Sequence, residues 1–342
     1  MTDAIVTVGS DGVIHLRRAE DTFPVGQFRT TLGTGGTGAG GTGTGDFTPE
    51  DYETLVRIAR LNPNGNPITD FYVNINTGVD SIDEWDRGLS PDKPWKTIHY
   101  TVEQVRARVS SAGRAININL APGTYVTTSV INLDMSGVTV NFRGTDADPN
   151  NTVIRNDSGA NQSVIYVPRA NVNISNLKLV GSTYVQPTNS RISMYSLHAQ
   201  LGAVVVCTNV ISESRSRSYS HFMASYGGFL EMNNEGVMGA TAANVFVAYE
   251  QGHIIIQPNK VPGFKVLSSM TLYNWDSAAP AAGSGYFCNI WRQSDVQIVN
   301  AAIPVTGTFS GIKYSVTSQS RIVGSDYLPG SAGTTASGGS VV

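Results

Sequence analysis

Hydrolysis of a glycan needs two carboxylates about 5–10 Å apart in a groove, and a lyase needs a base with cationic or metal help. Glu231, Glu235, Glu250, Asp276 and Asp295 are the acids whose spacing bears on that chemistry. Glu231 and Glu250 are the catalytic candidates. The repeat set out below turns Glu231 away from the interior of one turn and places Glu250 just ahead of the next, where the two could approach each other. Ordinary exposed carboxylates explain the same residues without chemistry, so the chain reads more readily as a binding or structural protein than as an enzyme. Asp80, Asp83, Glu84 and Asp86 could bind a cation, yet the alternating ligand order of a calcium loop is missing and a solvated turn suffices. The histidines, His15, His99, His198, His221 and His253, have no metal-ligand spacing, and neither a metal nor another cofactor is expected.

Binding is better served by side chains on the connections. "VGSTYVQPTNSRISMY" carries Tyr184, Arg191 and Tyr195, and "ISESRSRSYSHF" carries Arg215, Arg217 and Tyr219. The longest interruption of the repeat carries Tyr273, Trp275, Asp276 and Trp291. Flat aromatics with a polar edge, set beside Arg or Asp, suit the mixed apolar and hydroxyl faces of sugars, and they suit protein interfaces as well. Tyr184, Tyr195, Arg215, Arg217, Tyr219, Tyr273, Trp275 and Asp276 are therefore the receptor-binding candidates. Packing of these residues within their own loops, or at a subunit interface, is the alternative.

Such side chains need a scaffold, and the composition favours a β one. Of 342 residues 40% are hydrophobic, enough for a sizeable core, while only 14% are charged and 36 are glycine, so short polar side chains must cover much of the surface. The net charge of −3 gives no basic field for nucleic acid or anionic lipid. Cys207 and Cys288 lie far apart with no ligand spacing and read as buried thiols. The opening "MTDAIVTVGSDG" has no signal-peptide pattern and no apolar run is long enough to span a bilayer, so a soluble chain without membrane insertion is expected.

Residues 4–16 alternate around Gly9-Ser10-Asp11-Gly12 and predict a hairpin within a segment, 1–32, suited to docking. Residues 33–45 contain Gly33-x-Gly35-x-x-Gly38, but no strand precedes the run and no helix opens on its third glycine, so it reads as a Gly/Thr linker and not a nucleotide loop. Within 46–69, Thr48 and Pro49 start a short helix with Tyr52, Leu55, Val56 and Ala59 on one side.

From residue 160 the sequence repeats. Counting from Ala170, Gly202, Gly228, Gly252, Ser294 and Ser320 as anchors, an apolar residue stands two positions on in each turn and four positions on in all but the last, where Gly324 breaks the series. Asn176, Asn209, Asn234, Asn259, Asn300 or Asp326 follows at six or seven positions and should end the strand, since Asn and Asp tolerate left-handed backbone. A unit near 25 residues with insertions predicts a parallel β-solenoid over 115–330. Asn176, Asn234 and Asn300 should stack at one corner. Positions three after the anchors should face outward; Asn173, Glu231 and Gln297 are polar there, but Val205, Ile255 and Val323 are apolar and become candidates for a subunit interface. Ile98, Val102, Val105 and Val109 line one face of a helix that would close the open end of the stack.

"DFYVNINTGVDSIDEWDRGLSPDKPWKTIHYTVEQV" resembles the segment leading into pectate-lyase-like right-handed parallel β-helices of bacteriophage tail fibres and tailspikes; "INLAPGTY" is similar to their first coil, and "YLPGSAGTTASGG" to a common fibre terminus. The likeness covers 70–330. It implies a mainly β chain with 70–114 as opening strand and capping helix, 115–330 as right-handed β-helix and 331–342 as tail. It also implies a homotrimeric virion appendage, made in the host cytoplasm, held to other tail or baseplate proteins through residues 1–32 and binding a host surface glycan or protein. A glycan-degrading tailspike and a head or neck fibre are the alternatives. The solenoid is short for a tailspike and lacks a separate C-terminal trimerisation domain.

Overall fold

The computed structural model describes residues 4–8, 13–18 and 26–29, for the backbone, and 70–342 apart from 82, 85, 109–113, 159–161, 185–193, 261–262 and 275–279. The chain forms two compact units, Met1–Ile68 and Thr69–Val342. In the first, Ala4–Val8 pairs antiparallel with Val13–Arg18, Ala4 opposite Arg18, so the expected hairpin forms. Gly26–Arg29 adds a further antiparallel strand that the sequence pattern did not suggest. The glycine run and the helix expected from Thr48 lie outside the described residues.

The second unit is mainly β, with long parallel sheets. Asp70–Val73, Arg114–Leu120, Val138–Gly144, Asn171–Val180, Val204–Glu213, Phe229–Met232, His253–Ile256, Asp295–Ile298, Arg321–Val323 and Ser340–Val341 follow one another across the larger sheet, each parallel to the next. Ile131–Asn132, Ile165–Pro168, Met194–Gln200, Tyr219–Ser225, Phe246–Tyr249, Tyr286–Trp291, Ile312–Val316 and Thr334–Thr335 do the same in a second sheet. The chain passes back and forth between the two, adding a strand to each per circuit, and short strands such as Thr241–Ala242, Met270–Leu272 and Phe309–Ser310 pair in a third, parallel group. This course is compatible with a β-helix-like solenoid.

Register explains the core. Val140, Val172, Val205, Leu230, Ile254, Val296 and Ile322 are partners in that order, and none is more than 1% exposed. Facing them, Phe222 stacks on Phe246 at 5.4 Å, and Phe246 meets Phe264 at 5.2 Å and Phe287 at 5.8 Å. Each such ring or branched side chain contributes about 1.5–3 kcal/mol of burial. Cys207, in register with Ile174 and Met232, and Cys288, in register with Phe246, are free buried thiols.

Val205 corrects the expected alignment. Leu201 and Gly202 both adopt the left-handed conformation, with φ of 53° and 77°, so Gly202 belongs to the corner and the strand is counted from Ala203. A slip of one residue exchanges the two faces of a strand. Val205 is core, and the outward apolar residue is Val204, 40% exposed. Ile255 and Val323 do face outward and are half-buried.

Parallel pairing also runs past the expected limits. Asp70–Val73 is already part of the larger sheet, and Thr334–Thr335 and Ser340–Val341 continue both sheets, so 331–342 forms a further circuit instead of a tail. The helix Ile98–Arg108 buries Ile98, Val102 and Val105 against the end strands Asp70–Val73 and Ile131–Asn132, as a cover for that end would; Val109 lies outside the described residues. Its start is fixed by Asp80, which accepts hydrogen bonds from the Lys96 and Thr97 backbone N–H at 2.9 and 3.0 Å and from the Thr97 hydroxyl at 2.6 Å. Gly78 and Gly88 sit so close to Trp95 that a β-carbon would lie 2.2 Å from its carbonyl oxygen or 2.4 Å from its ring, respectively. The Thr-Gly-x-Asp, Gly-Leu-Ser-Pro and Pro-Trp-x-Thr-Ile stretches thus converge on one buried tryptophan.

Candidate functional site

The two catalytic candidates stand on different elements and are held by different partners. Glu231 stands in Phe229–Met232, where its Oε1 accepts from Gln257 Nε2 at 2.7 Å and lies 3.5 Å from Lys260 Nζ. Glu250 stands in a corner between the sheets and is held by Arg292 and Tyr249; the two acids share no described partner. Asp295 lies 3.0 Å from Arg321 Nε and 3.5 Å from His253 Nδ1. Among the acids near residue 80, Asp80 caps the helix, Asp83 accepts from the Ser81 hydroxyl at 2.6 Å, and Glu84 and Asp86 pair with Lys93. Among the described residues no three His, Cys, Asp or Glu side chains are grouped to hold a metal ion, and no helix is long and apolar enough to cross a membrane.

The receptor-binding candidates divide. Tyr219 is fully buried, its ring lying where a β-carbon on Gly181 would come within 2.5 Å, and Tyr195 is 3% exposed in a cluster with Met223 and Val247. Neither presents a face to a ligand, because each sits in a strand whose two sides are both covered. Arg215 donates to Asp157 at 2.9 Å, which fastens its loop; Arg217 is exposed. Tyr184 and Tyr273 are half-buried, Tyr273 in an antiparallel bridge with Ala282. Arg191, Trp275 and Asp276 lie outside the described residues.

What the structure assembles instead is a row of corners. From residue 201 onward each passage from the smaller to the larger sheet uses two successive left-handed residues: Leu201 and Gly202, Tyr226 and Gly227, Glu250 and Gln251, Arg292 and Gln293, Ser318 and Gln319, Ser337 and Gly338. Backbone hydrogen bonds run from corner to corner, Gln251 N to Arg292 O and Gln293 N to Ser318 O, both 3.0 Å, so the corners stack in register. The side chains of Tyr226, Glu250, Gln251, Arg292, Gln293, Ser318, Gln319 and Ser337 line a shallow groove of about 680 Å³.

Aromatic rings border it. Tyr226 packs edge-on to Tyr249 at 5.7 Å, Tyr249 meets Trp291 at 5.3 Å, and the Arg292 guanidinium sits 4.9 Å from the Tyr249 ring centre. Arg292 donates to both the Tyr249 hydroxyl and Glu250. Burial, followed by the adjoining Glu250 carboxylate, pushes the Tyr249 phenol up to about 12. The Tyr249 and Arg292 hydrogen bonds hold Glu250 below the usual carboxylate range, so it stays ionised and paired. Such an arrangement can bind but offers no free acid or base.

The sequence held a signal for this groove. Gln251, Gln293 and Gln319 each immediately precede a repeat anchor, Gly252, Ser294 and Ser320. Corners of two residues leave no visible loop, which makes that signal faint. In comparisons with known proteins, no protein-family model matches this chain and no curated protein matches it.

Proposed function

We propose that the chain is a structural appendage of a bacteriophage virion, a tail fibre or tailspike built on a right-handed parallel β-helix, which attaches the particle to a glycan on the host surface. The observation that carries this reading is the in-register parallel stack headed by Ile98–Arg108. The opening segment, which resembles those leading into phage fibres, is the one that buries Trp95 and caps that helix, so this part of the likeness falls on residues with a shared physical task. A rigid stack with a groove across its turns suits adhesion, and Glu231 and Glu250 are each engaged by other side chains. Residues 1–32 would dock to the particle and three copies would associate through outward apolar positions such as Val204, Ile255 and Val323.

Incubation of the purified chain with capsule and lipopolysaccharide from candidate hosts tests the reading. Retention of the chain on a host glycan, with glycan length unchanged, is the expected result. Release of shorter oligosaccharides would make it a depolymerase, and absence of retention on every host surface would remove the attachment role.

A further inference from the structure

We infer that the corners at Gln251, Gln293 and Gln319 form a binding track for an uncharged polysaccharide that runs across the stacked turns. The inference rests on the attachment reading above and narrows its ligand.

Strain is the first observation. Glycine is the residue that takes positive φ without steric cost, and the chain uses it at the second corner position in Gly202, Gly227 and Gly338. In the three turns between, the same position is glutamine, with φ of 65°, 61° and 62°. A side chain there costs about 1–2 kcal/mol per residue, and strain that recurs at one place points to a use for the side chain. Mutual bonding does not account for it, because the amides meet only where Gln293 Nε2 lies 3.4 Å from Gln319 Oε1.

Charge is the second. Arg292 is spent on Glu250 and Tyr249, and on the adjacent strand row Asp295 is closed between Arg321 and His253. An acidic polymer is recognised by unpaired cations in charge-assisted hydrogen bonds. This groove offers amides and hydroxyls instead, which both donate and accept and so match sugar hydroxyls. Because neighbouring strands lie about 4.8 Å apart, the same amide recurs with each turn, as hydroxyls recur along a regular polysaccharide. Tyr226, 44% exposed, lines the same groove and adds an aromatic ring, a group suited to the apolar face of a sugar.

Affinity electrophoresis of the full chain tests this, with mannan, dextran and galactan as neutral polymers and polygalacturonate, alginate and hyaluronate as acidic ones. At least one neutral polymer should retard the wild type and no acidic polymer should. The combined variant Gln251→Gly, Gln293→Gly and Gln319→Gly should bind at least about tenfold more weakly while its melting temperature stays level or rises, since glycine relieves the corners. Retardation by acidic polymers alone, by no polymer, or equally by the triple variant would overturn the track. Adsorption of both proteins to host cells separates the two readings: wild type and triple variant adsorbing alike would leave attachment standing without the track, and no adsorption by either would remove attachment itself.

Discussion

His221 lies wholly inside the strand stack, its Nδ1 hydrogen-bonded to Ser212 Oγ at 2.7 Å, and Ser212 Oγ is 2.5 Å from Ser196 Oγ. Burial holds its imidazole down to about 3, and burial likewise holds His198, beside Ser225 Oγ at 2.8 Å, down to about 4. Both histidines are neutral when folded and take up a proton near pH 6.5 when unfolded. Their contribution to stability is therefore complete above about pH 6.5 and is lost as the pH falls toward 4 and 3. For the buried His221 the fall from 6.5 to about 3 amounts to about 5 kcal/mol. The melting temperature should fall between about pH 7 and pH 4, and His221→Gln should make that fall shallower; a variant with the wild-type slope would contradict the assignment. At this scale the sequence was only partly legible. Asparagine announces its tolerance of left-handed backbone by its identity, whereas the burial of Tyr219 depends on the absent side chain of Gly181, a distant residue that no spacing rule links to it.

Among elements, the bends expected at Asn176 and Asn209 form, but inside Asn171–Val180 and Val204–Glu213 instead of ending those strands. Asn209 Nδ2 donates to Asn176 Oδ1 at 2.8 Å and Asn209 N donates to Asn234 Oδ1 at 2.5 Å, so Asn176 and Asn234 share one corner through a residue between them; no such bond reaches Asn300. With φ of 59° at Asn209, Asn209→Ala should lose both the amide bonds and the conformational tolerance, costing about 2–3 kcal/mol. Asn209→Gly should cost less, because only the amide bonds go. Urea unfolding of both variants checks the order, and equal losses would show that the conformation carries no cost. A second ladder, Asp70, Asn117, Asn141 and Asn173, runs along the outside with 2.8 Å between successive amide partners. Three of its four members precede residue 160, where the turns are less regular and the repeat is faint in the sequence. The one-residue slip at Gly202 has a physical cause: by spacing the glycine starts a strand, but a corner of two left-handed residues claims it.

For the whole molecule, the capped parallel stack was legible because hydrophobic periodicity and small corner residues recur, while the groove was not, because it is assembled from single residues some 25–40 positions apart. Val205 and Ile255 separate core from interface. Val205→Asp should unfold the chain by burying an unpaired charge, whereas Ile255→Asp should leave it folded and weaken self-association by about 1–3 kcal/mol. Sedimentation of the wild type should give three times the chain mass of 36.4 kDa, and a monomer at micromolar concentration would remove the interface. A truncated chain beginning at Phe47 should fold and associate yet fail to join particles. The proposed role, a β-helical attachment fibre on a phage particle, is tested most directly by a density map of particles assembled with this chain. A threefold projecting appendage is expected, into which Thr69–Val342 fits with its strands crossing the long axis and residues 1–32 at the particle surface; density placing the chain within the capsid shell, projecting by its other end, or absent from the particle would contradict the proposal.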